Sequence, residues 1–145
     1  MAANEEHWLT TAHRAKVVEL DRAESLELLT SKTVGRLGFL SEDGPQILPL
    51  NYALVDQNVI VRTVAYGTVA RSALDQRVAF EVDEVDEFLQ AGWSVLVVGP
   101  AQLLTDAQLK QLRLGTGPEP WAEGPRTLFI SVACQHVSGR RLIPS

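Results

Sequence analysis

The chain has 145 residues, of which 46% are hydrophobic and 21% charged, and this is the make-up of one ordinary folded domain with no disordered bulk. A formal net charge of -5, without a basic run, excludes binding to a phosphate backbone, which needs clustered Lys and Arg to displace counterions. No apolar stretch approaches the roughly 20 residues of a membrane span, the N-terminus is polar, and the single Cys134 permits neither an internal disulfide nor a zinc ribbon. A cytoplasmic protein without nucleic-acid or membrane partners is expected, with Cys134 as a buried structural residue.

Residues 1–17 carry His7, Trp8 and His13 without a convincing period and read as an N-terminal arm, leaving 18–145 as the folded domain. Asp21 and Glu24 have the spacing of a capping box, so a helix is predicted to start there and to end near Ser31, with Leu26 and Leu29 on one face. Val34–Leu40 and Gln46–Leu54 flank Ser41-Glu42-Asp43-Gly44-Pro45, in which Asp-Gly supplies the positive φ angles of a tight turn. Asp56-Gln57-Asn58 turns the chain into the β-branched run Val59–Thr63, completing a three-stranded meander.

Gly67 breaks this pattern, and Thr68–Gln76 reads as a short helix with Thr68 as its N-cap. Strands are predicted over Val78–Val82 and Trp93–Leu104, the second bending at Gly99-Pro100, where a missing side chain and a missing N–H suit a bulge. Thr105 and Gln108 form a second capping box. A Gly- and Pro-rich loop carrying Trp121 follows, and a last strand runs from Thr127 to about Val137. Six or so strands without a strand–helix alternation argue against a doubly wound parallel sheet and for a small antiparallel barrel.

Conventional catalytic motifs are absent: no Gly-x-Ser-x-Gly, no Gly-Lys-Ser/Thr phosphate loop, no His-Glu-x-x-His and no Gly-x-Gly-x-x-Gly. Catalytic residues therefore stay unassigned, and no metal site is predicted. His136 reads as structural. The five carboxylates of Glu81–Glu87 lack the glycine and ordered ligands of a calcium loop and read as a solvated acidic strand end. Arg62-Thr63 followed by Gly67-Thr68 and Arg71 joins two guanidinium groups, two hydroxyls and a helix start. The residues alone leave two readings open, a phosphate cradle and a plain turn with surface arginines.

Taken together, Val34-Gly35-Arg36-Leu37-Gly38, Pro49-Leu50-Asn51-Tyr52, Val61-Arg62-Thr63, Val78–Asp83, Gly92–Val95, Pro120-Trp121 and Ser138–Arg141 resemble the pyridoxamine 5′-phosphate oxidase-like, FMN-binding split-barrel family, in its flavoprotein branch related to nitroimidazole reductases. The resemblance implies a mainly β fold, a six-stranded antiparallel split β-barrel of Greek-key type with two or three short helices. It further implies a homodimer with FMN sites lined by both copies. On that template Pro49, Leu50, Asn51 and Tyr52 run beside the isoalloxazine ring, Arg62, Thr63, Gly67 and Thr68 meet the phosphate, and Trp121 and Arg140 are further cofactor contacts.

One departure stands out. Thr68 or Val69 occupies the position where relatives of this branch carry a lysine, and Arg71 is the candidate replacement. Without that replacement the resemblance implies either weak FMN binding or a preference for another ligand such as a deazaflavin or heme, both of which the wider family accommodates. The implied activity is an FMN-dependent oxidoreductase that moves electrons from a nicotinamide donor to a small planar acceptor, a small-molecule substrate. The rival readings are a flavin-storing or sensing protein without turnover and a cofactor-free dimeric interaction module.

Overall fold

A computed structural model describes residues 15–112, 117–118 and 128–144. Along the chain run β1 (Lys16–Leu20), α1 (Arg22–Leu29), β2 (Val34–Ser41), β3 (Gly44–Val55), β4 (Asn58–Thr63), α2 (Thr68–Ser72), β5 (Arg77–Asp86), β6 (Ala91–Leu103), α3 (Asp106–Gln111), β7 (Leu128–Ala133) and β8 (His136–Ile143). All pairings are antiparallel, in the order β1-β8-β6-β5-β2-β3-β4-β7, and β6 also pairs with β7. That last pairing closes β2 to β7 into a six-stranded barrel, and β8 and β1 extend the sheet beyond β6. The mainly β barrel with three short helices is thus present.

Closure depends on β6. Its first part lies between β5 and β8, and its last residues, Ala101–Leu103, change partner to β7. The change occurs at Gly99-Pro100, as the bulge signal predicts. At Gly99 the backbones approach so closely that a Cβ would run into the Ala133 carbonyl.

β3 is also shared between two half-sheets. Among the described residues its first part pairs with β2 alone, and β4 joins only at Tyr52–Val55, so the barrel is split along the N-terminal edge of β3. Pro45 and Pro49 lie in this edge segment, where the missing N–H leaves no ladder bond unmade. The β2–β3 turn has Gly44 at φ 106°, and the β3–β4 turn has Asp56 and Gln57 at φ 48° and 59°.

The core is built from the inward faces of the strands: Leu37, Phe80, Val82, Val95, Val97, Val59, Val61, Ile130 and Val132, with Leu29 from α1, Val69 from α2 and Ala73 at its C-cap. Phe80 meets Tyr52 edge-on, with ring centroids 4.9 Å apart. Trp93 is buried at 8% exposure, and Cys134 is buried, with its thiol pushed to a higher pKa by burial.

Several boundaries differ from expectation. Lys16 and Val17, placed in the arm by the sequence, belong to β1, which pairs with β8 from Lys16↔Ile143 to Leu20↔Gly139. α1 ends at Leu29, with Asp21 Oδ1 accepting from the Glu24 N–H at 2.8 Å. The N-cap of α2 is Gly67, not Thr68, and the helix stops at Ser72 because the Asp75 N–H goes to the Ala101 carbonyl instead of continuing the helix. β5 runs through the acidic segment to Asp86, paired with β6. The single predicted last strand is two strands, β7 and β8, separated at Cys134-Gln135. The Thr105–Gln108 capping box is formed in both directions, at 3.2 and 2.8 Å.

Candidate functional site on the outward sheet face

Side chains alternate across a strand, so the register fixes which residues share the convex face of the sheet. One row runs Pro49 (β3), Arg36 (β2), Glu81 (β5), Leu96 (β6) and Ser138 (β8). The next row holds Asp83, Ser94, Arg140 and Glu19, and beyond it lie Val85, Gly92, Leu142 and Val17. On the other side come Ile47, Gly38, Ala79 and Val98. Ile47 is 71% exposed and Leu40 70%, and Val17, Val85, Leu96 and Leu142 are exposed as well, giving the face an apolar surface over most of its width.

Three charged side chains in its middle are bonded to one another. Arg36 Nη1 donates to Glu81 Oε1 at 3.3 Å and to Asp83 Oδ2 at 3.0 Å. Glu81 and Asp83 are two residues apart on β5 and point the same way, so one guanidinium nitrogen bridges two carboxylates. Partial burial pushes the Glu81 carboxyl up to about 7, the hydrogen bond and charge of Asp83 push in the same direction, and Arg36 opposes them. These two acids, with Ser94, Arg140, Trp93 and Leu142, line an open cleft of about 280 Å³.

The Glu81 shift fixes the sign of a pH effect. Between its ordinary 4.5 and about 7 the folded chain holds a proton that the unfolded chain has released. Glu81 therefore stabilises fully below that window and loses the contribution as pH rises through it. Urea titrations of wild type and Glu81→Gln across this range should show wild type losing stability with rising pH relative to the variant. Parallel curves would remove Glu81 as the titrating group.

The predicted cofactor residues divide by face. Pro49 and Asn51 are on the outward side, whereas Leu50 packs on the core and Tyr52 is buried, its hydroxyl donating to the Leu29 carbonyl at 2.6 Å. Burial pushes the Tyr52 phenol well above its usual pKa. Arg62 is half-buried with its guanidinium 5.2 Å from the centre of the Phe129 ring, a cation–π geometry. Thr63, the next residue, is turned inward and buried. Arg62 and Thr63 end β4, and the chain leads through Gly67 into Thr68. Gly67 caps α2 with no side-chain hydrogen bond.

Arg71 folds back, donating from Nη1 to the Tyr66 carbonyl at 2.7 Å. With Thr68 and Ser72 it lines a polar groove of about 370 Å³ against Ser41, Glu42 and Asp43 of the β2–β3 turn. Arg140 is exposed on β8. Four strand steps separate Pro49 from it, about 19 Å along the sheet at the usual strand spacing. Trp121 and Pro120 lie outside the described residues.

The sequence reading missed the Arg36–Glu81–Asp83 cluster. Its signal was available in part: the two acids stand at i and i+2 of a strand, the spacing that puts side chains on one face.

A six-stranded antiparallel barrel split along one strand edge, with an apolar, charged-centred outer face, defines a class of small split β-barrels. The chain belongs to the pyridoxamine 5′-phosphate oxidase family, whose model matches residues 21–141. The uncharacterized protein Rv0080 of Mycobacterium tuberculosis is 35% identical over 133 residues, 88% of this chain and 87% of that protein. Among solved structures, the FAD binding protein from Mycobacterium smegmatis matches with a TM-score of 0.68 and 26% identity over 87% of this chain and 98% of its own. A FAD-binding protein from Mesorhizobium loti matches with a TM-score of 0.69 and 25% identity over 88% of this chain and 98% of its own.

Proposed function

We propose that two copies of this chain associate through the outward sheet face and bind FMN between them, forming a cytoplasmic oxidoreductase that passes electrons from a nicotinamide donor to a small planar acceptor. The observation that carries this reading is the distribution of the candidate contacts. A flavin ring lying on Pro49 with its phosphate toward Arg62 and Thr68 extends away from Arg140, about 19 Å distant. Contact with both Pro49 and Arg140 therefore calls for a second copy. The exposed apolar residues of the same face supply the surface such an association buries. The similarity to FAD-binding proteins at 25% and 26% identity supports a flavin nucleotide as the ligand class.

The residues present fit a flavin nucleotide. Arg62 and Thr68 offer a fork of N–H donors and a hydroxyl, and α2 starts without a side-chain acceptor. Pro49 and Ile47 offer a flat apolar surface for a ring. Arg71 already donates one N–H to the Tyr66 carbonyl, and the carboxylates of Glu42 and Asp43 share its groove. A bound flavin supplies the hydride and electron chemistry itself, so the chain's part is to bind, orient and shield it.

The visible spectrum of freshly purified protein tests the cofactor class. Chromatography of the released nucleotide separates FMN from FAD, and a deazaflavin or heme gives its own bands. Anaerobic bleaching by a nicotinamide donor, followed by reoxidation with an added acceptor, supports turnover. A bound flavin that no nicotinamide reduces would leave a binding protein. Arg62→Ala should weaken FMN by about 1.5–3 kcal/mol, the range for losing a hydrogen bond to a charged group, with the thermal transition retained. Unchanged affinity in a flavin-fluorescence titration would remove Arg62 from the site.

A further inference from the structure

We propose that the association of the two copies is proton-linked: the Glu81–Asp83 pair of each copy enters the interface sharing one proton, so that association takes up protons and the copies separate as pH rises. This rests on the homodimer reading above and adds a regulation to it.

The charges of the face carry the argument. Glu81 and Asp83 stand side by side on β5 with a single cation, Arg36, bonded to both at 3.3 and 3.0 Å. From β8, Arg140 faces them across Ser94, and Glu19 of β1 stands opposite Arg140. Lys32 and Glu84 neutralise one another at 3.3 Å, Asp86 ends β5 in the solvent, and His136 lies at the far edge of β8. The central face thus sets the guanidinium groups of Arg36 and Arg140 against the carboxylates of Glu81, Asp83 and Glu19. One proton makes it neutral.

The surroundings make that proton matter. Ile47, Leu96, Val85 and Leu142 flank the cluster, and a second copy covering them removes water from the carboxylates as well. An uncompensated buried charge is far more costly than a protonated carboxyl, and a second carboxylate beside it adds repulsion. In one copy the Glu81 carboxyl already titrates at about 7, so the proton is at hand near neutrality and covering the face strengthens its hold.

The test is the dimer dissociation constant of the full chain, measured by sedimentation over a dilution series from about pH 6 to about pH 9, for wild type, Glu81→Gln and Asp83→Asn. Each proton taken up raises the constant by as much as about tenfold per pH unit above neutrality, and the two of a symmetric pair by about a hundredfold. Glu81→Gln mimics the protonated acid and should give a flat profile. Should that variant fail to fold, Asp83→Asn removes the repulsion that holds the proton and should flatten the profile likewise. A wild-type dimer with a constant that ignores pH, or a variant that keeps the full slope, overturns the proton linkage and leaves the homodimer standing. A chain that is monomeric at every pH and concentration overturns both.

Discussion

Phe80→Ala is expected to remove about 3–5 kcal/mol of folding stability, the range for truncating a fully buried aromatic side chain. Phe80 is completely buried on β5, packs edge-on against Tyr52, and fills the space over Gly35, where a Cβ would run into its ring. The glycine and the phenyl ring are two halves of one fit between β2 and β5, so the cavity cannot collapse by a simple shift of a neighbouring side chain. A domain with about 5–15 kcal/mol in total would lose a large share of it. Urea unfolding followed by tryptophan fluorescence and circular dichroism measures the change, and a loss below about 1 kcal/mol would mean that the site repacks. The effect reaches the outward face too, because Glu81 and Arg36 stand on the strand residues next to Phe80 and Leu37.

Gly99→Ala is expected to be at least as severe in its local effect. The atom that an added methyl meets is the Ala133 carbonyl oxygen, a backbone group that no rotamer change moves aside. Overpacking of side chains typically costs about 1–3 kcal/mol and occasionally more, and a backbone collision belongs at the top of that range. The relief available is separation of β6 from β7 at Ala101–Leu103, which opens the barrel. Hydrogen exchange should therefore show lost protection along β7, where it pairs with Ala101–Leu103, together with a lowered urea midpoint. Full protection of these amides in the variant would show that the bend has room to spare.

Features with local causes were legible in the sequence. The Ser41–Gly44 turn, the Asp21 cap, the Thr105–Gln108 box and the Gly99-Pro100 bend each follow from the conformational demands of a few adjacent residues. β1 was not legible, because Lys16–Leu20 is a strand only through its ladder with β8, more than a hundred residues away. The division of β7 from β8 was hidden for a similar reason: Cys134-Gln135 contains no Gly or Pro. Its turn is held by the Cys134 N–H to the Gln57 carbonyl and by Arg22 Nη2 to the Cys134 carbonyl at 2.6 Å. The family and its split barrel were readable from short motifs in order. The Arg36–Glu81–Asp83 cluster required the register of two strands, which no single segment encodes.

The N-terminal edge of β3, which no strand among the described residues pairs, has a consequence for how the chain behaves among its own copies in a crowded solution. An open strand edge is a template on which another chain can add a strand, and continued addition leads to aggregates. Pro45 and Pro49 offer no N–H along this edge, so an incoming strand finds donors missing at alternate positions flanking Ile47. This edge is thereby closed to β-sheet extension, and encounters between copies at it are directed to side-chain faces, where an assembly can stop at a finite size.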